Sequence, residues 1–578
     1  MHTRSAVRAT ALVVLTLLAA CRSDAGVAPD PAITTGDPVD RTGPQTMTLE
    51  GGSAGADYVA VLVNTSFTTG TSESFTLRGS GLVAPSASLV AVGGPSLDRD
   101  GAAGSALEVD HAFEARIRAG ERSELTPRFA AARAWSAERT ARALSATSAT
   151  SATSADGARA FDLTRRDGAL PAGVRVGDIV TLNVNGNTAC TKPVYHGARV
   201  AAIGTHAVIL ADTLNPANGF TDADFRRYAA RFDSLVFPLD SAAFGAPTDV
   251  DANGHIGLIF TRAVNELTPA HSSSYVGGFT FSRDLFPAMS TSRAEGCAAS
   301  NQGEFFYLLA PDPSGAINGN VRTTGFVDSN TTAVIAHEFQ HLINAGRRIY
   351  VNDASTFEET WLDEGLAHIA EELLFYREAG LAPESNLDTP QIRALPQRRG
   401  AFNLDMLGNS GRYRTYLLAP SSSSPYAAND ALPTRGAAWS LLRYLADRSG
   451  IADNAFFYRL ANSTTRGIAN VRAVYGEDLA TAVRDWSASH AVDDVAVTDP
   501  ALLQPSWNWH SMYPALYGSY PLQVQSMADG TPYARTVIAG GAAYFRLGVP
   551  AGGSATLSLG AQSTTAAANL RLVLVRTR

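Results

Sequence analysis

The sequence predicts a central α+β domain flanked by two small all-β domains. At 578 residues the chain is too long for one ordinary core, and its length favours about three or four folding units. Short apolar, β-branched runs between glycines stand near both ends, whereas segments with helical periodicity follow strand-like segments in the centre. Hydrophobic residues make up 45% and charged residues 17%, which indicates a folded rather than a disordered chain.

The charge balance excludes two classes of partner. The net charge of −8 is mild and no cluster of lysine or arginine stands out, so the sequence offers no surface for nucleic acid or for an anionic membrane. We expect a monomer that binds neither.

The first 21 residues have the plan of an export signal. Arg4 and Arg8 precede an apolar run from Ala9 to Ala20 that is too short to span a bilayer comfortably. The run ends in LAAC, which resembles the lipobox of bacterial lipoproteins, whose cysteine carries the lipid; an ordinary secretory signal is the alternative. We therefore predict an exported protein, anchored in the outer membrane or at the cell surface only through lipid on Cys21, with release to the extracellular medium as the alternative.

Shifts in composition divide the rest of the chain. Residues 22–42 indicate a flexible tether, and residues 43–115 an N-terminal β-domain. Residues 116–160 begin with charges and alanines at helical spacing and contain the repeat SATSATSATSAD, which cannot form a core. This linker is compatible with a removable propeptide or with a spacer. The main domain is expected over residues 161–496 and a C-terminal β-sandwich over residues 501–578.

The two cysteines beyond Cys21 are expected to pair. An even number of cysteines in an oxidising compartment predicts a disulfide between Cys190 and Cys297, with two buried free thiols as the alternative. Closing a loop of about a hundred residues would contribute roughly 4–5 kcal/mol of stability in the chain-entropy model.

The pentapeptide HEFQH lies within a predicted helix whose N-cap candidates are Asp328, Ser329 and Asn330. At 100° per residue, His337 and His341 share one side, with Glu338 about 60° from His341. The opposite side is apolar and consists of Ile335, Phe339, Leu342 and Ile343. Two imidazoles one turn apart can hold zinc, but a catalytic zinc usually has a third protein ligand.

A second predicted helix offers that third ligand. The metzincin pattern would need glycine and histidine where this chain has Asn344 and Arg347, so it is excluded. Residues 361–375, WLDEGLAHIAEELLF, place four apolar side chains on one helical face and Glu364, His368 and Glu371 on the other. Geometry alone leaves Glu364 and His368 both eligible.

These two motifs together carry a family resemblance. H-E-x-x-H followed by a W-L-[ND]-E-G helix resembles the gluzincin metallopeptidases, and roughly residues 230–490 resemble the hyicolysin-like peptidases in DVDANGHIGLIFTRAVN, FFYLLAPDP, AHEFQHLIN, TWLDEGLAHIAEEL and GAAWSLLRYLADR. The resemblance implies a zincin-like α+β catalytic domain that holds Zn²⁺ on His337, His341 and Glu364. It further implies hydrolysis of protein or peptide substrates by a metal-activated water, with Glu338 as the general base.

The resemblance also implies groups around the ligands. Gluzincins commonly stabilise the negative tetrahedral intermediate with a downstream Tyr or His, so Tyr413, Tyr416 and Tyr426 are candidates. Tyr426, ten residues before the GAAWSLLRYL helix, is preferred.

Because a zinc-bound imidazole usually donates its other N–H to a carboxylate or carbonyl, Glu371 is expected to orient a ligand, with Asn344 as the weaker candidate.

The hexapeptide DVDANG, Asp249 to Gly254, matches the first half of a calcium loop. Position 12 is Phe260 where a bidentate glutamate is expected, so a complete EF-hand is excluded. The preferred interpretation is an Asx-rich turn that enters the strand IGLIF, and Ca²⁺ binding is the alternative.

The preferred function is that of a lipid-anchored zinc endopeptidase. An aminopeptidase would need an acidic site for the substrate's free amine, and no motif for one stands beside the zinc signature. A rival from a different class is an inactive peptidase-fold lipoprotein that acts as an adhesion or carbohydrate-binding module.

Overall fold

The computed structural model describes residues 33–86, 103–137, 170–290, 295–495, 497–561 and 566–578. The predicted signal peptide, most of the predicted tether and the SAT repeat lie outside these ranges. Within them, no helix combines the length and the apolar character needed to cross a membrane.

The strands have the following bounds: β1 Pro38–Thr42, β2 Gln45–Glu50, β3 Ala56–Asn64, β4 Ser72–Ser80, β5 Ile179–Asn183, β6 Tyr195–Ile203, β7 Ala207–Asp212, β8 Ile256–Thr261, β9 Gly278–Thr280, β10 Phe305–Leu309, β11 Val524–Ser526, β12 Pro532–Ile538, β13 Ala542–Val549, β14 Ser554–Ala561 and β15 Leu570–Arg576.

The helices have the following bounds: α1 Ala103–Gly120, α2 Asp222–Arg231, α3 Phe237–Phe244, α4 Arg262–Asn265, α5 Thr324–Gly346, α6 Thr360–Ala379, α7 Thr389–Arg393, α8 Pro396–Ala401, α9 Leu407–Leu418, α10 Leu432–Arg448, α11 Asp453–Ala461, α12 Gly467–Tyr475, α13 Leu479–Val492, α14 Trp509–Tyr517 and α15 Ala566–Asn569. Helical turns continue from α1 through residues 121–137.

A six-stranded sheet supports the helix that carries HEFQH. Its strand order is β5-β6-β7-β8-β10-β9, with β7, β8 and β10 parallel and β9 antiparallel at one edge. Helix α5 packs on this sheet through Phe339, whose ring centroid lies 5.9 Å from that of Phe306 on β10 and 5.2 Å from that of Phe232. The four apolar residues predicted to share a face of α5 are all buried, so the predicted apolar stripe is confirmed.

Helix α5 begins earlier than the sequence predicts. Its N-cap is Thr323, whose side chain accepts a hydrogen bond from Phe326 N, and the predicted caps at residues 328–330 lie inside the helix. Threonine is a good N-cap residue, but this turn precedes the apolar periodicity from which the start was inferred.

Helix α6 lies between α5 and α10. A Cβ atom on Gly365 would lie 2.8 Å from Leu442 Cδ1 and 3.3 Å from Ala438 Cβ, so the absent side chain lets α6 approach α10 closely.

The two predicted terminal β-domains form one β-sandwich, which corrects the expectation of separate domains. One sheet has the order β1-β15-β3-β13-β11 and the other β12-β4-β14-β2, so strands from both ends of the chain alternate. Strand β1 falls within the predicted tether. Alternating burial along a strand indicates which face is apolar, but it does not identify a partner several hundred residues away.

The C-terminal boundary also differs from the expectation. Trp507 and Trp509 belong to the core of the helical region, and Trp507 Nε1 donates to Glu372 Oε1 on α6 at 2.6 Å. Residues 501–523 therefore belong with the central helices, and the C-terminal part of the sandwich begins at β11. The predicted disulfide between Cys190 and Cys297 is confirmed.

Candidate metal centre

His337, His341 and Glu364 converge on one point, as the sequence predicts. The two Nε2 atoms are 3.2 Å apart, and Glu364 Oε2 lies 3.5 Å from His337 Nε2 and 3.6 Å from His341 Nε2. All three side chains are buried. Helix α5 presents both imidazoles because they are one turn apart, and the antiparallel return through α6 brings the carboxylate opposite them.

The spacing and chemistry of these donors fit zinc. Bonds of about 2.0–2.1 Å at tetrahedral angles place donor atoms roughly 3.3 Å apart, close to the three separations observed. Burial opposes ionisation of Glu364, yet Arg435 and His341 hold the pKa of that carboxyl well below its usual range. Burial and Arg118 lower the pKa of His341, but Asp363 and Glu364 outweigh them and raise this pKa to about 9. The surroundings therefore favour positive charge where the three donors meet.

Each imidazole has a carboxylate at its other nitrogen. Glu371 Oε1 lies 2.9 Å from His337 Nδ1, as expected for Glu371, and Asp363 Oδ2 lies 3.0 Å from His341 Nδ1. A proton held at Nδ1 leaves the lone pair of Nε2 for the metal. Asn344 acts one step further out, because its Nδ2 donates to Asp363.

The sequence interpretation missed Asp363. On a helical wheel Asp363 lies 100° from Glu364, outside the face that Glu364, His368 and Glu371 share. Its position directly before Glu364 in WLDEG was the available signal.

Removing either outer carboxylate is expected to weaken metal binding without abolishing it. Asp363→Asn and Glu371→Gln should each lower zinc affinity by about 10- to 100-fold, because a neutral amide oxygen is a weaker acceptor than a carboxylate and orients the imidazole less firmly. Competition with a chelator of known affinity measures the change. Asp328→Asn, at the outer start of α5 where Asp328 pairs with Arg227, is the control and should bind zinc normally. An unchanged affinity in both site variants would contradict the orienting role.

Glu338 lies beside the three ligands. Its Oε2 accepts a hydrogen bond from Thr280 N at 2.7 Å, at the end of edge strand β9. Burial raises the pKa of Glu338, Glu114 adds to that increase, and the two histidines oppose it. A buried carboxylate with a raised pKa, held by one backbone donor next to the metal, suits a general base.

The preferred tyrosine is not at the centre, which corrects that prediction. Tyr426 is 0% exposed, and its hydroxyl donates to Ser66 O beside the sandwich at 2.9 Å. Tyr413 and Tyr416 stack on each other in the helical core. None of the three lines the cavity described below, so the position of a tyrosine along the chain did not reveal where its hydroxyl points.

His368 does not join the three converging donors. Its Nδ1 lies 3.3 Å from Glu371 Oε2, on the side of His337 that faces away from Glu364. Burial, with Arg412 adding to it, lowers the pKa of His368 to about 3, so this imidazole is neutral. His368, His337 and Glu371 also lie within ligand distance of one another, but His337 already directs its Nε2 towards Glu364.

A cavity of about 680 Å³ opens beside Glu338 and His337. Its walls include residues 277–278 next to β9, the outer carboxylate Glu371, and two acidic residues of α1, Asp110 and Glu114. The sequence indicated helical spacing in the part of the chain that includes the end of α1. It did not indicate that this helix contacts the metal centre.

Arg435 is a second group that the sequence interpretation missed. It is buried on α10, and its Nη1 lies 3.0 Å from Glu364 Oε2 and also pairs with Glu114. It supplies positive charge next to a proposed ligand, and its local sequence, TRG in the first turns of α10, carries no motif that would have marked it.

The DVDANG loop forms the predicted Asx-rich turn before β8. Asp249 accepts from the backbone N–H groups of Asn253 and Gly254. Asp249, Asp251 and Glu304 have carboxylate oxygens within 4.8 Å of one another. Calcium at this loop stays a prediction.

Two histidines, an ionised glutamate and an adjacent carboxylate base define a candidate hydrolytic metal centre. No protein-family model matches the chain. Over 156 residues, which are 27% of this chain, the sequence is 26% identical to the neutral metalloprotease ShpI of Staphylococcus hyicus, and the match covers 32% of that relative. The chain thus matches about a third of that protein's length, and the similarity suggests a metallopeptidase.

Proposed function

We propose that this protein is a zinc-dependent endopeptidase of the gluzincin type, with a zincin-like catalytic domain. The observation that carries the proposal is the convergence of His337, His341 and Glu364 at zinc-binding distances with Glu338 directly beside them. The partial similarity to a metalloprotease supports the same chemistry.

When bound, zinc would polarise the scissile carbonyl and activate a water molecule for attack. Glu338 takes the proton from that water and later passes it to the leaving amine, and Thr280 N holds Glu338 Oε2 in a fixed direction. Glu371 and Asp363 keep the two imidazoles oriented. Arg435, whose Nη1 lies 3.0 Å from Glu364 Oε2, keeps that carboxylate ionised.

The edge strand β9 suits a polypeptide substrate. It ends at Thr280, whose N–H holds the general base, and it occupies one end of the six-stranded sheet. An extended peptide can add to such an edge through backbone hydrogen bonds. This route places a scissile bond next to Glu338 and supports a polypeptide rather than a small molecule as the substrate.

Metal content and proteolysis test the proposal together. Purified protein is expected to hold one zinc per chain and to cleave denatured casein, with cleavage lost in a chelator and restored by zinc. Because acidic residues of α1 line the cavity at the centre, the intact chain and the chain cut within both residues 87–102 and residues 138–169 are assayed. A protein that binds zinc but cleaves nothing in either form would favour the inactive adhesion or carbohydrate-binding alternative. Absence of both properties would overturn the zinc site as well.

We also propose export and lipid anchoring, which depend on Cys21. The variant Cys21→Ser is expected to lose label from radioactive palmitate and to leave the membrane fraction, because no other segment of the sequence offers an anchor. Exchange of a neighbouring position, Ser23→Ala, should leave the label unchanged. Label that persists in Cys21→Ser would rule out this site of lipidation.

A further inference from the structure

Helix α1 buries a charged face against the metal centre. Glu114, Arg118 and Glu121 recur on one side of the helical segment, and each is at most 4% exposed. The charged side of a helix at a protein surface normally faces water, because a buried charge is costly without a partner. The partners of this face are residues of the proposed active site.

Glu114 places a carboxylate next to the zinc ligands. Its Oε1 lies 3.9 Å from His337 Nε2, and Arg435 bridges Glu114 and Glu364. Glu114, His337 and Glu338 offer potential ligand atoms within 4.8 Å of one another. A catalytic zinc needs an open position for water. A carboxylate at this place is suited to take that position.

Arg118 lies against the proposed general base. Its Nη2 is 3.9 Å from Glu338 Oε2, and its Nε is 3.6 Å from Glu364 Oε1. Glu121 fixes the guanidinium from the other side, at 2.8 Å. The arginine also fills space that a substrate would need.

The same helix covers the edge of the sheet. Gly277 N donates to Asp110 Oδ1 at 3.4 Å, and Ser282 N donates to Glu121 Oε1 at 2.7 Å. Between these two contacts, the ring of Phe113 packs on that of Phe279 in β9, 5.1 Å between centroids. A peptide could not pair with this edge while α1 is in place.

The continuation of α1 is attached to the central domain as well. Arg133 Nη1 donates to the carbonyl oxygens of Ile349 and Ala354, and the ring of Phe129 packs edge-on against Phe357. Beyond it, residues 138–169 contain the SAT repeat, in which no apolar side chain is larger than that of alanine, so it cannot form a core. In the part of the chain that the structure describes, the continuation of α1 is thus attached to the central domain as far as Arg133.

The strands before α1 cannot leave with it. Strand β3 is buried along its whole length and pairs with both β13 and β15, which follow the central domain in the sequence. A single excised propeptide that ends near residue 160 would thus remove the central strand of a sheet. Cuts on both sides of α1, within residues 87–102 and 138–169, would leave the sandwich complete.

We propose that residues 103–137 are an internal inhibitory segment that keeps the enzyme latent until it is excised. An endopeptidase hydrolyses one peptide bond on each side, and each cleavage consumes one water and yields a new carboxylate and a new amine. The mature enzyme is then a complex of two chains held together by the β-sandwich. This inference rests on the proposed zinc endopeptidase function.

Engineered cleavage tests the segment in the full-length protein. Recognition sites for a sequence-specific endopeptidase are placed within residues 87–102 and 138–169, singly and together, and the zinc-loaded protein is cut. After both cuts, zinc transfer to a colorimetric chelator should quicken by at least about 10-fold, because the closed population no longer protects the metal. Hydrolysis of a quenched peptide should appear with it, and the two remaining chains should co-elute on gel filtration.

Metal transfer and hydrolysis separate the two proposals. Equal rates of zinc transfer before and after both cuts would overturn the inhibitory segment, whatever the activity. Faster transfer without hydrolysis of any peptide would support the segment and contradict the endopeptidase. Loss of the N-terminal chain on gel filtration would overturn the two-chain product.

A point variant tests Glu114 without any cut. In the uncut protein loaded with cobalt(II), Glu114→Ala is expected to change the visible absorption spectrum, because one carboxylate next to the metal is lost. Arg116→Ala, on the exposed side of the same helix, is the control and should leave the spectrum unchanged. Identical spectra for Glu114→Ala and the unmodified protein would remove Glu114 from the metal.

Discussion

Glu338→Gln is expected to keep zinc bound while peptide hydrolysis falls by about 10²- to 10⁴-fold, the range typical of a lost general base. Glutamine preserves the size of the side chain, and its amide oxygen can still accept from Thr280 N. Only the ability to take a proton is lost. The rate with a quenched peptide after release of α1, together with zinc content by atomic absorption, measures both effects.

A matched variant controls for the loss of a buried carboxylate. Glu372 is buried on α6, and its Oε1 accepts from Trp507 rather than contacting the metal centre. Glu372→Gln should therefore retain hydrolysis within a few-fold of the unmodified protein. Glu338→Gln with activity similar to Glu372→Gln would remove Glu338 from the mechanism.

The two histidines of the proposed metal site could be predicted because their information is local. The four-residue spacing of His337 and His341 is one helical turn, and an apolar stripe on the opposite side of α5 turns both imidazoles the same way. Glu364 required the resemblance to gluzincins, because His368 shares its helical face. Geometry then separates the two, since the oxygen of Glu364, and not the ring of His368, approaches both Nε2 atoms.

The groups that the sequence did not reveal depend on pairing between distant segments. Glu114 and Arg118 have the spacing of an ordinary solvated helix face, and only the packing of α1 on β9 makes that face buried. The joint β-sandwich has the same origin, because β3 meets partners almost 500 residues away. The prediction for Tyr426 was wrong for a related reason. Its hydroxyl donates to Ser66 O, across the boundary with the sandwich.

Glu364→Ala is expected to lose zinc almost completely, whereas His368→Ala should keep a stoichiometric metal with affinity lowered by at most about 10- to 100-fold. Glu364 Oε2 completes a triangle with the two imidazoles, and two histidines alone leave the ion without an anionic protein ligand. His368 Nδ1 lies 3.3 Å from Glu371 Oε2, and its ring lies 4.9 Å from that of His337 between centroids, so its removal disturbs the orientation of His337 and not the ligand set.

Two measurements on both variants decide whether Glu364 or His368 is the third ligand. They are zinc stoichiometry after dialysis and competition with a chelator. Circular dichroism of each variant checks that a lost metal does not reflect a lost fold, and Glu372→Ala, one residue beyond Glu371 and outside the ligand set, serves as the control for truncating a buried side chain on α6. If His368→Ala loses its metal while Glu364→Ala retains it, the third ligand is the histidine and the gluzincin assignment is wrong. If both variants retain zinc at full affinity, the ion is held elsewhere, and the convergence of α5 and α6 on one point does not form the zinc site.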